Sequence, residues 1–394
     1  MRILQAHNRH GSRGGADAVI DREHELLTRS GHDVAQFFTP PSDERSDRSW
    51  RNAAASVWNV EATRGLGEAI ERFRPAVVHV HTPFPLMSPA IFRAAHRHGV
   101  PTVSTVHSYR YSCIAATLRR DGRLCEDCVG KTLKLPAVRH RCYHDNRPAS
   151  AAMAASLTLH HSIGTFRRHV DTFLTLTEFS RQILLREGLA ADQVSVKPNF
   201  VEDPGPTMPY DERTPTVLFV GRLVDEKGIR TLLAAWKKAS RVGVRLIICG
   251  DGPLRTVVQQ AAAQDSTIEF AGWLPGEVII AAQKSAKMTV VPSEWYEAGP
   301  PLVLLDALAC GTPLVTSDLE NISRTVVETG AGLTFHMGDT DSLAKALCAM
   351  LEDPDAAARM GSAARGLYER DHTARASLAA LESTYRRVTA PVTG

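Results

Sequence analysis

Short apolar segments rich in β-branched residues alternate along this chain with longer segments of helical periodicity. The apolar segments lie at residues 77–81, 102–106, 173–177, 217–220 and 245–249. Between them, apolar side chains recur at helical spacing. Continuously apolar strands separated by amphipathic helices are typical of parallel sheets that are covered on both faces. The pattern therefore predicts βαβ units in a doubly wound α/β architecture.

The periodicity stops after Asp203, where Pro and Gly accumulate as far as Pro215. This interruption predicts a first domain at 1–203, a linker at 204–215, a second domain at 216–374, and a C-terminal helix and tail at 375–394. A length of 394 residues also favours two domains. Residues 108–150 follow the pattern poorly, and we interpret them as an insertion in the first domain.

Composition excludes several classes of protein. Hydrophobic residues make up 43% and charged residues 23% of the chain, which is typical of a folded globular protein and excludes bulk disorder. The sequence has no run of eighteen apolar residues, and its start, Met1-Arg2-Ile3-Leu4, does not resemble a secretory leader. We therefore expect a cytoplasmic protein with reduced cysteines.

The charge is distributed unevenly. Residues up to 200 contain 27 Lys and Arg against 19 Asp and Glu, a net charge of +8, whereas the remainder contains 19 against 24, a net charge of −5. A basic half is typical of proteins that meet nucleic acid, acidic substrates or the anionic inner leaflet of a membrane.

A cationic loop follows the predicted strand at 217–220. It contains Gly221-Arg222 and, four residues later, Lys227-Gly228. Ligands bind at the carboxyl ends of parallel strands, where the N–H groups of the following helix favour anions. Arg222 offers a bidentate fork and Lys227 a point charge for phosphate oxygens. The alternative interpretation is two solvated cations beside a turn.

A second loop, after the predicted strand at 288–291, contains two carboxylates. Glu297 lies in a Gly/Pro turn and Asp306 in the helix that begins near Pro301. Small residues in the turn would let backbone N–H groups approach a ligand, and Asp306 could accept hydrogen bonds from ribose hydroxyls. A glutamate near a helix start and an aspartate on a helix surface are the alternative for either residue alone.

Candidate residues in the first half also follow strands. His107 ends the strand at 102–106, and His81 ends the strand at 77–80. Gly14 and Gly15 lie at the start of the first predicted helix and would let a substrate approach the backbone. A structural histidine and an ordinary turn are the alternatives.

Four cysteines in the insertion are spaced in a way that permits a metal site. Cys125 and Cys128 form one Cys-x-x-Cys pair, with Cys113 and Cys142 on either side. Four thiols could hold a structural zinc ion in this loop-rich segment. The outer spacings are longer than those of zinc ribbons, however, which favours reduced thiols without a ligand.

Taken together, these motifs resemble the family 4 retaining glycosyltransferases over nearly the whole chain. The resemblance rests on Arg222 and Lys227 in their loop, Ala309-Cys310-Gly311, Gly14-Gly15 and His107, together with Lys197-Pro198-Asn199. Two features depart from the family pattern. Eight residues instead of seven separate Glu297 from the second acid, and that acid is Asp306 rather than Glu.

The resemblance implies two facing Rossmann-like domains of the GT-B type, with a C-terminal helix that crosses back toward the first domain. It implies a UDP- or GDP-sugar donor in the second domain and a glycan, lipid-linked or small-molecule acceptor on the first. Arg222 and Lys227 would stabilise the leaving diphosphate, Glu297 would hold sugar hydroxyls, and His107 would contact the donor sugar. Further donor contacts are expected from Gly221, Asn199, Gly250, Asp251, Gly252, Ala298, Gly299, Pro300, Pro301, Leu302, Val303 and Asp306, and acceptor or cleft contacts from Gly14, Gly15 and His81.

Because no Asp-x-Asp motif lies after a strand in a position to hold a divalent ion, we expect transfer without a catalytic metal or any other required cofactor. Structural zinc is the one metal considered. A sugar-nucleotide 2-epimerase with the same fold is an alternative. A basic module that binds nucleic acid through residues 108–150 is a third interpretation, but neither a recognisable motif nor interleaved aromatic residues support it. The basic insertion instead favours peripheral contact with an anionic inner leaflet.

Overall fold

The predicted apolar segments form the strands of two parallel sheets, one in each of two compact units. The computed structural model describes residues 1–9, 14–39, 50–239 and 243–390. Unit 1 comprises Met1–Pro198 and Ser377–Gly394, and unit 2 comprises Asn199–Ala376. The units therefore separate a few residues before the predicted end of the first domain at 203, so that the predicted linker at 204–215 belongs to unit 2.

Unit 1 contains a six-stranded parallel sheet with the order β2-β1-β3-β4-β7-β8 and a two-stranded antiparallel hairpin, β5-β6. Its strands are β1 Arg2–Asn8, β2 Asp33–Thr39, β3 Val77–Thr82, β4 Thr102–Val106, β5 Arg119–Arg120, β6 Arg123–Leu124, β7 Thr172–Thr175 and β8 Val194–Val196. Its helices are α1 Gly15–Arg29, α2 Trp50–Val57, α3 Val60–Phe73, α4 Ala90–Arg97, α5 Leu135–Arg139, α6 Arg147–Ser162, α7 Thr165–Arg168 and α8 Glu178–Arg186. The hairpin and α5 lie within the predicted insertion.

Unit 2 contains a second six-stranded parallel sheet, with the order β11-β10-β9-β12-β13-β14. Its strands are β9 Thr214–Val220, β10 Arg245–Cys249, β11 Ile268–Gly272, β12 Ala286–Val291, β13 Leu314–Ser317 and β14 Gly332–Phe335. Its helices are α9 Ile229–Ala239, α10 Arg255–Gln264, α11 Gly276–Ser285, α12 Leu302–Ala309, α13 Glu320–Val327, α14 Thr340–Glu352 and α15 Pro354–Asp371.

Both sheets carry apolar clusters on both faces. Neighbouring residues of a strand point to opposite faces, so one strand can contribute to two clusters. In β3, Val78 packs in a cluster with α3 and α4, whereas Val77 packs in a cluster with Leu27 of α1. The last helix, α16 Ala374–Thr389, joins the second cluster through Leu381 and Tyr385. The α/β architecture and the return of the C-terminal helix to the first domain are confirmed; residues 391–394 of the predicted tail lie outside the described residues.

Candidate active site

The cationic loop of unit 2 leaves the carboxyl end of β9 beside the point where the sheet order reverses. After Gly221 and Arg222 the chain forms a short 3-10 turn that ends at Lys227, and α9 begins at Ile229. Arg222 is exposed. Gly228 has φ +68°, and a Cβ atom there would lie 1.8 Å from the carbonyl oxygen of Pro292. The loop after β9 therefore packs directly against the loop after β12.

The loop after β12 brings Glu297 to Lys227. The Lys227 ammonium donates a hydrogen bond to Oε1 of Glu297, which also accepts one from the hydroxyl of Ser293 at 3.0 Å. Lys227 Nζ lies 5.7 Å from the centre of the Trp295 ring. The side-chain amide of Asn321 donates to the Glu297 carbonyl, which fixes the backbone of this loop. Two sequence motifs 70 residues apart thus form one polar cluster.

A third loop, after β10, approaches the first so closely that only glycine fits. A Cβ atom on Gly250 would lie 1.9 Å from the carbonyl oxygen of Gly221, and one on Gly252 would lie 2.6 Å from that of Leu223. The Asp251 carbonyl accepts a hydrogen bond from the Leu223 N–H. The Asp251 carboxylate itself is engaged locally, by the Gly252 N–H at 2.8 Å and by Arg255 at 3.0 Å.

The start of α12 completes the carboxyl edge of this sheet. Ala298, Gly299, Pro300 and Pro301 form the turn between β12 and the helix, and Leu302 and Val303 form its first turn. N–H groups in the first turn of a helix have no acceptor within that helix. Asp306 is half-buried in the middle of α12.

Asn199 differs from these residues, because its described contacts are not with the loops after β9, β10 and β12. Its carbonyl accepts a hydrogen bond from His372 at 2.9 Å, and its side chain is buried. The structure therefore does not join Asn199 to the cluster of Lys227 and Glu297.

In unit 1 the two predicted histidines are neighbours. Nδ1 of His81 lies 3.0 Å from Nε2 of His107, and the rings stack with centroids 5.3 Å apart. Burial is the main reason that the pKa of His81 falls to about 4, and burial likewise lowers the pKa of His107. Both rings are therefore neutral at neutral pH.

Gly14 caps α1, and Gly15 is its first residue. The Gly14 N–H donates to Asp17 at 2.9 Å. A Cβ atom on Gly15 would meet no described atom within 4 Å, and Gly14 has an ordinary extended backbone. Neither position requires glycine for the fold of the described residues.

Sequence reasoning missed the residues that support His81. Glu23 of α1 is fully buried and contacts both His79 and His81, and it forms an ion pair with Lys197 at 3.2 Å. The signal was present in the sequence. Glu23 interrupts the apolar stripe of Val19, Ile20, Leu26 and Leu27 on α1, and a charge on a buried helix face requires partners.

The four insertion cysteines are in the free thiol form. Among the described residues, one group of metal-capable side chains has ligand atoms that all lie within 4.8 Å of one another. This group comprises Glu23, His79 and His81 and includes no cysteine. Burial raises the pKa of Cys128, and it raises that of Cys142 to about 11. Zinc stays a prediction for metal analysis of the purified protein.

Comparisons with known proteins identify the class. The family described as Glycosyltransferase Family 4 matches residues 13–203, and the family described as Glycosyl transferases group 1 matches residues 208–367. The two matches together span both units. The chain belongs to the family 4 glycosyltransferases and is an enzyme of that class.

Individual relatives agree with this assignment. Glycogen synthase of Mycobacterium tuberculosis is 27% identical over an alignment that covers 89% of this chain and 86% of that protein. Sucrose-phosphate synthase from Thermosynechococcus elongatus has a TM-score of 0.68 at 20% identity over 98% of both chains. Anabaena HepE, solved in complex with UDP, has a TM-score of 0.66 at 15% identity over 98% of this chain and 99% of that one. The last two share the GT-B fold that the sequence predicts.

Proposed function

We propose that this glycosyltransferase retains the anomeric configuration and transfers a hexose-type sugar from a UDP- or GDP-sugar to a glycan, lipid-linked or small-molecule acceptor. The observation that carries the proposal is the contact between Lys227 and Glu297 at the carboxyl ends of β9 and β12. It brings a phosphate-binding cation next to a carboxylate that can hold sugar hydroxyls. The complex of HepE with UDP supports a nucleotide donor.

The proposed chemistry uses the side chains of this cluster. Arg222 and Lys227 bind the diphosphate and stabilise the charge that develops on it as the bond between the anomeric carbon and the phosphate oxygen breaks. The acceptor oxygen attacks the same face of the sugar, and its proton passes to the leaving phosphate oxygen. Glu297 and the N–H groups at the start of α12 orient the donor, Asp306 binds its ribose, and no catalytic metal is needed.

The insertion of unit 1 supports an acceptor that is anionic or close to a membrane. Leu133 and Leu135 expose 58% and 63% of their surface, and exposed Lys131, Arg139 and Arg141 flank them. Apolar side chains surrounded by cations are typical of surfaces that lie on anionic lipid. None of the described helices has the length and apolar character needed to cross a bilayer.

Substitution of the two cations tests the diphosphate site. Arg222→Ala and Lys227→Ala should each weaken binding of the cognate nucleoside diphosphate about 10- to 100-fold, because each removes a charge-assisted contact worth about 1.5–3 kcal/mol, and should abolish transfer. Arg230→Ala is the matched control, because Arg230 lies on the same segment and pairs with Asp225 at 2.7 Å. A thermal-shift screen of nucleotides and their sugars identifies the ligand for calorimetry.

Product analysis tests the reaction. NMR of the glycoside should show the anomeric configuration of the donor, and incubation with the donor alone should yield no epimer. Undiminished nucleotide binding by both variants would refute the diphosphate site, and an inverted product would refute retention.

A further inference from the structure

Unit 1 buries a carboxylate in contact with two histidines. Oε1 of Glu23 lies 3.0 Å from Nδ1 of His79 and 3.2 Å from Nε2 of His81, and Oε2 accepts a hydrogen bond from Lys197 at 3.2 Å. The side chains of Glu23, His79 and His81 are fully buried, and that of Lys197 is nearly so. A buried ion is tolerated only with close partners, so the surroundings of Glu23 fix its position.

Glu23 is ionised in this setting. Burial alone would raise the pKa of its carboxyl, but the ammonium of Lys197, with His79 and His81, overcomes that effect and holds the pKa well below its usual value. An ionised carboxylate can only accept hydrogen bonds. A histidine nitrogen that faces it is therefore favoured in its protonated form, since a lone pair there would be repelled.

The contacts of Glu23 extend through the neutral ring of His81 to that of His107. Nε2 of His81 faces the Glu23 carboxylate in an electrostatic contact, although the two groups are not aligned as a hydrogen bond. The negative charge favours the His81 proton on Nε2, which leaves the lone pair on Nδ1. Nδ1 of His81 then accepts from Nε2 of His107 at 3.0 Å. A neutral imidazole carries a single N–H proton, so Nδ1 of His107 is left with a lone pair.

We propose that Glu23 is a positioning residue that, through His81, fixes the tautomer of His107 so that Nδ1 of His107 presents a hydrogen-bond acceptor to the substrate. Nδ1 has no partner among the described residues, and the ring of His107 is partly exposed directly after β4. The role in substrate binding rests on the proposed function and on the contact of His107 with the donor sugar that the family resemblance implies. The tautomer itself follows from unit 1 alone.

This arrangement suits recognition of a hydroxyl group. A sugar hydroxyl can donate to the Nδ1 lone pair, whereas a protonated imidazole could only donate in return. Because burial lowers the pKa of His107, the ring accepts the hydrogen bond without removing the proton. His107 therefore binds a hydroxyl group of the donor as a hydrogen-bond acceptor.

A metal ion bound by Glu23, His79 and His81 is the competing interpretation, since their ligand atoms lie within 4.8 Å of one another. Lys197 argues against it. Its ammonium already supplies positive charge at 3.2 Å from the carboxylate, and a divalent ion beside it would be repelled. The polar cluster is balanced in charge by Glu23 and Lys197 without a metal.

Histidine side-chain NMR tests the proposal without any substrate. In protein labelled with ¹⁵N-histidine, two-bond ¹H–¹⁵N spectra distinguish the tautomers, and loss of signals in His107→Gln assigns that ring. We expect the Nε2–H tautomer for His107 in the native protein. In the charge-balanced variant Glu23→Gln/Lys197→Met the amide can donate to His81, so the spectrum of His107 should shift toward the Nδ1–H tautomer, and kcat/KM should fall about tenfold, as expected for one lost hydrogen bond.

The matched control is Glu187→Gln/Lys134→Met. It removes a second buried Lys–Glu pair of unit 1, with Nζ and Oε2 2.8 Å apart, which lies 3.7 Å from His161, and it should leave the tautomer of His107 unchanged. A native His107 that carries its proton on Nδ1, or on both nitrogens, would overturn the proposal even if the variant does not fold. Stoichiometric metal that is lost in Glu23→Gln would also overturn it. A native Nε2–H tautomer in a protein that does not transfer sugar would instead refute the proposed function alone.

Discussion

At the scale of single residues, the candidate site of unit 2 depends on glycines that allow close backbone contact. Gly228 and Gly250 lie in the loops that follow two adjacent strands, β9 and β10. In each case a side chain would collide with a carbonyl oxygen of a neighbouring loop. Their role is to let the loops after β9, β10 and β12 come together. The polar side chains of these loops come into contact because their backbones lie close together.

Gly228→Ala tests this role. A positive φ costs a non-glycine residue about 1–2 kcal/mol, and forcing the loops apart should add about 1–3 kcal/mol, as overpacking does. Gly330→Ala is the control, because Gly330 has φ +70° but no described atom within 4 Å of its Cβ position. Urea unfolding should show the larger loss for Gly228→Ala, and only that variant should lose nucleotide binding. Equal losses would contradict the close-contact argument.

At the scale of elements, the strands were the most predictable part of the fold. The apolar segments at 102–106 and 245–249 coincide with β4 and β10. Such strands are buried on both faces, so their sequence alone carries the signal. The edge strand β2 is partly exposed along most of its length, and β8 and β14 span only three and four residues; their weaker apolar patterns did not predict them.

The element that carries the membrane hypothesis is α5 with the residues before it. Leu133→Ser/Leu135→Ser should reduce flotation with vesicles that contain phosphatidylglycerol by severalfold, because the two exposed apolar side chains can no longer enter the lipid interface. Val60→Ser is the control, since Val60 is 60% exposed at the start of α3 in the same unit. Binding to neutral and anionic vesicles in equal measure would rule out the charge-based interpretation.

At the scale of the whole molecule, buried neutral histidines make stability depend on pH. Burial is the main cause of the low pKa values of His81 and His160, each about 4, and it also lowers those of His107 and His161. When unfolded, these residues titrate near 6.5. Between these values the unfolded chain binds protons that the native protein does not, so stability should fall as the pH drops from about 6.5 to about 4.

Unfolding midpoints in urea across this pH range measure the effect. Each fully buried histidine should contribute about 1.4 kcal/mol per pH unit within the window. His160→Gln should therefore reduce the slope by about one such contribution, while leaving the predicted site residues in place. A native protein whose stability is constant from pH 6.5 to 4 would refute the low pKa values.

The sequence by itself determined the fold class, the strands at the centre of each sheet, and the loops that carry Arg222, Lys227, Glu297 and His107. These features are local, because strand pattern, turn chemistry and motif spacing depend on residues that are close together in the sequence. The resemblance to family 4 glycosyltransferases followed from the same local motifs, and the family matches confirm it.

Only the tertiary structure decided which side chains meet. The contact of Lys227 with Glu297, the stacking of His81 on His107, and the ion pair of Glu23 with Lys197 join residues separated by 70, 26 and 174 positions. No local pattern specifies such pairs, because sheet order and helix packing bring them together. The same limit applies to the insertion cysteines, because their spacing permits a zinc site but does not determine whether their sulfur atoms surround one ion. Spacing along the chain constrains the backbone position of a side chain, but packing determines which other side chains it contacts.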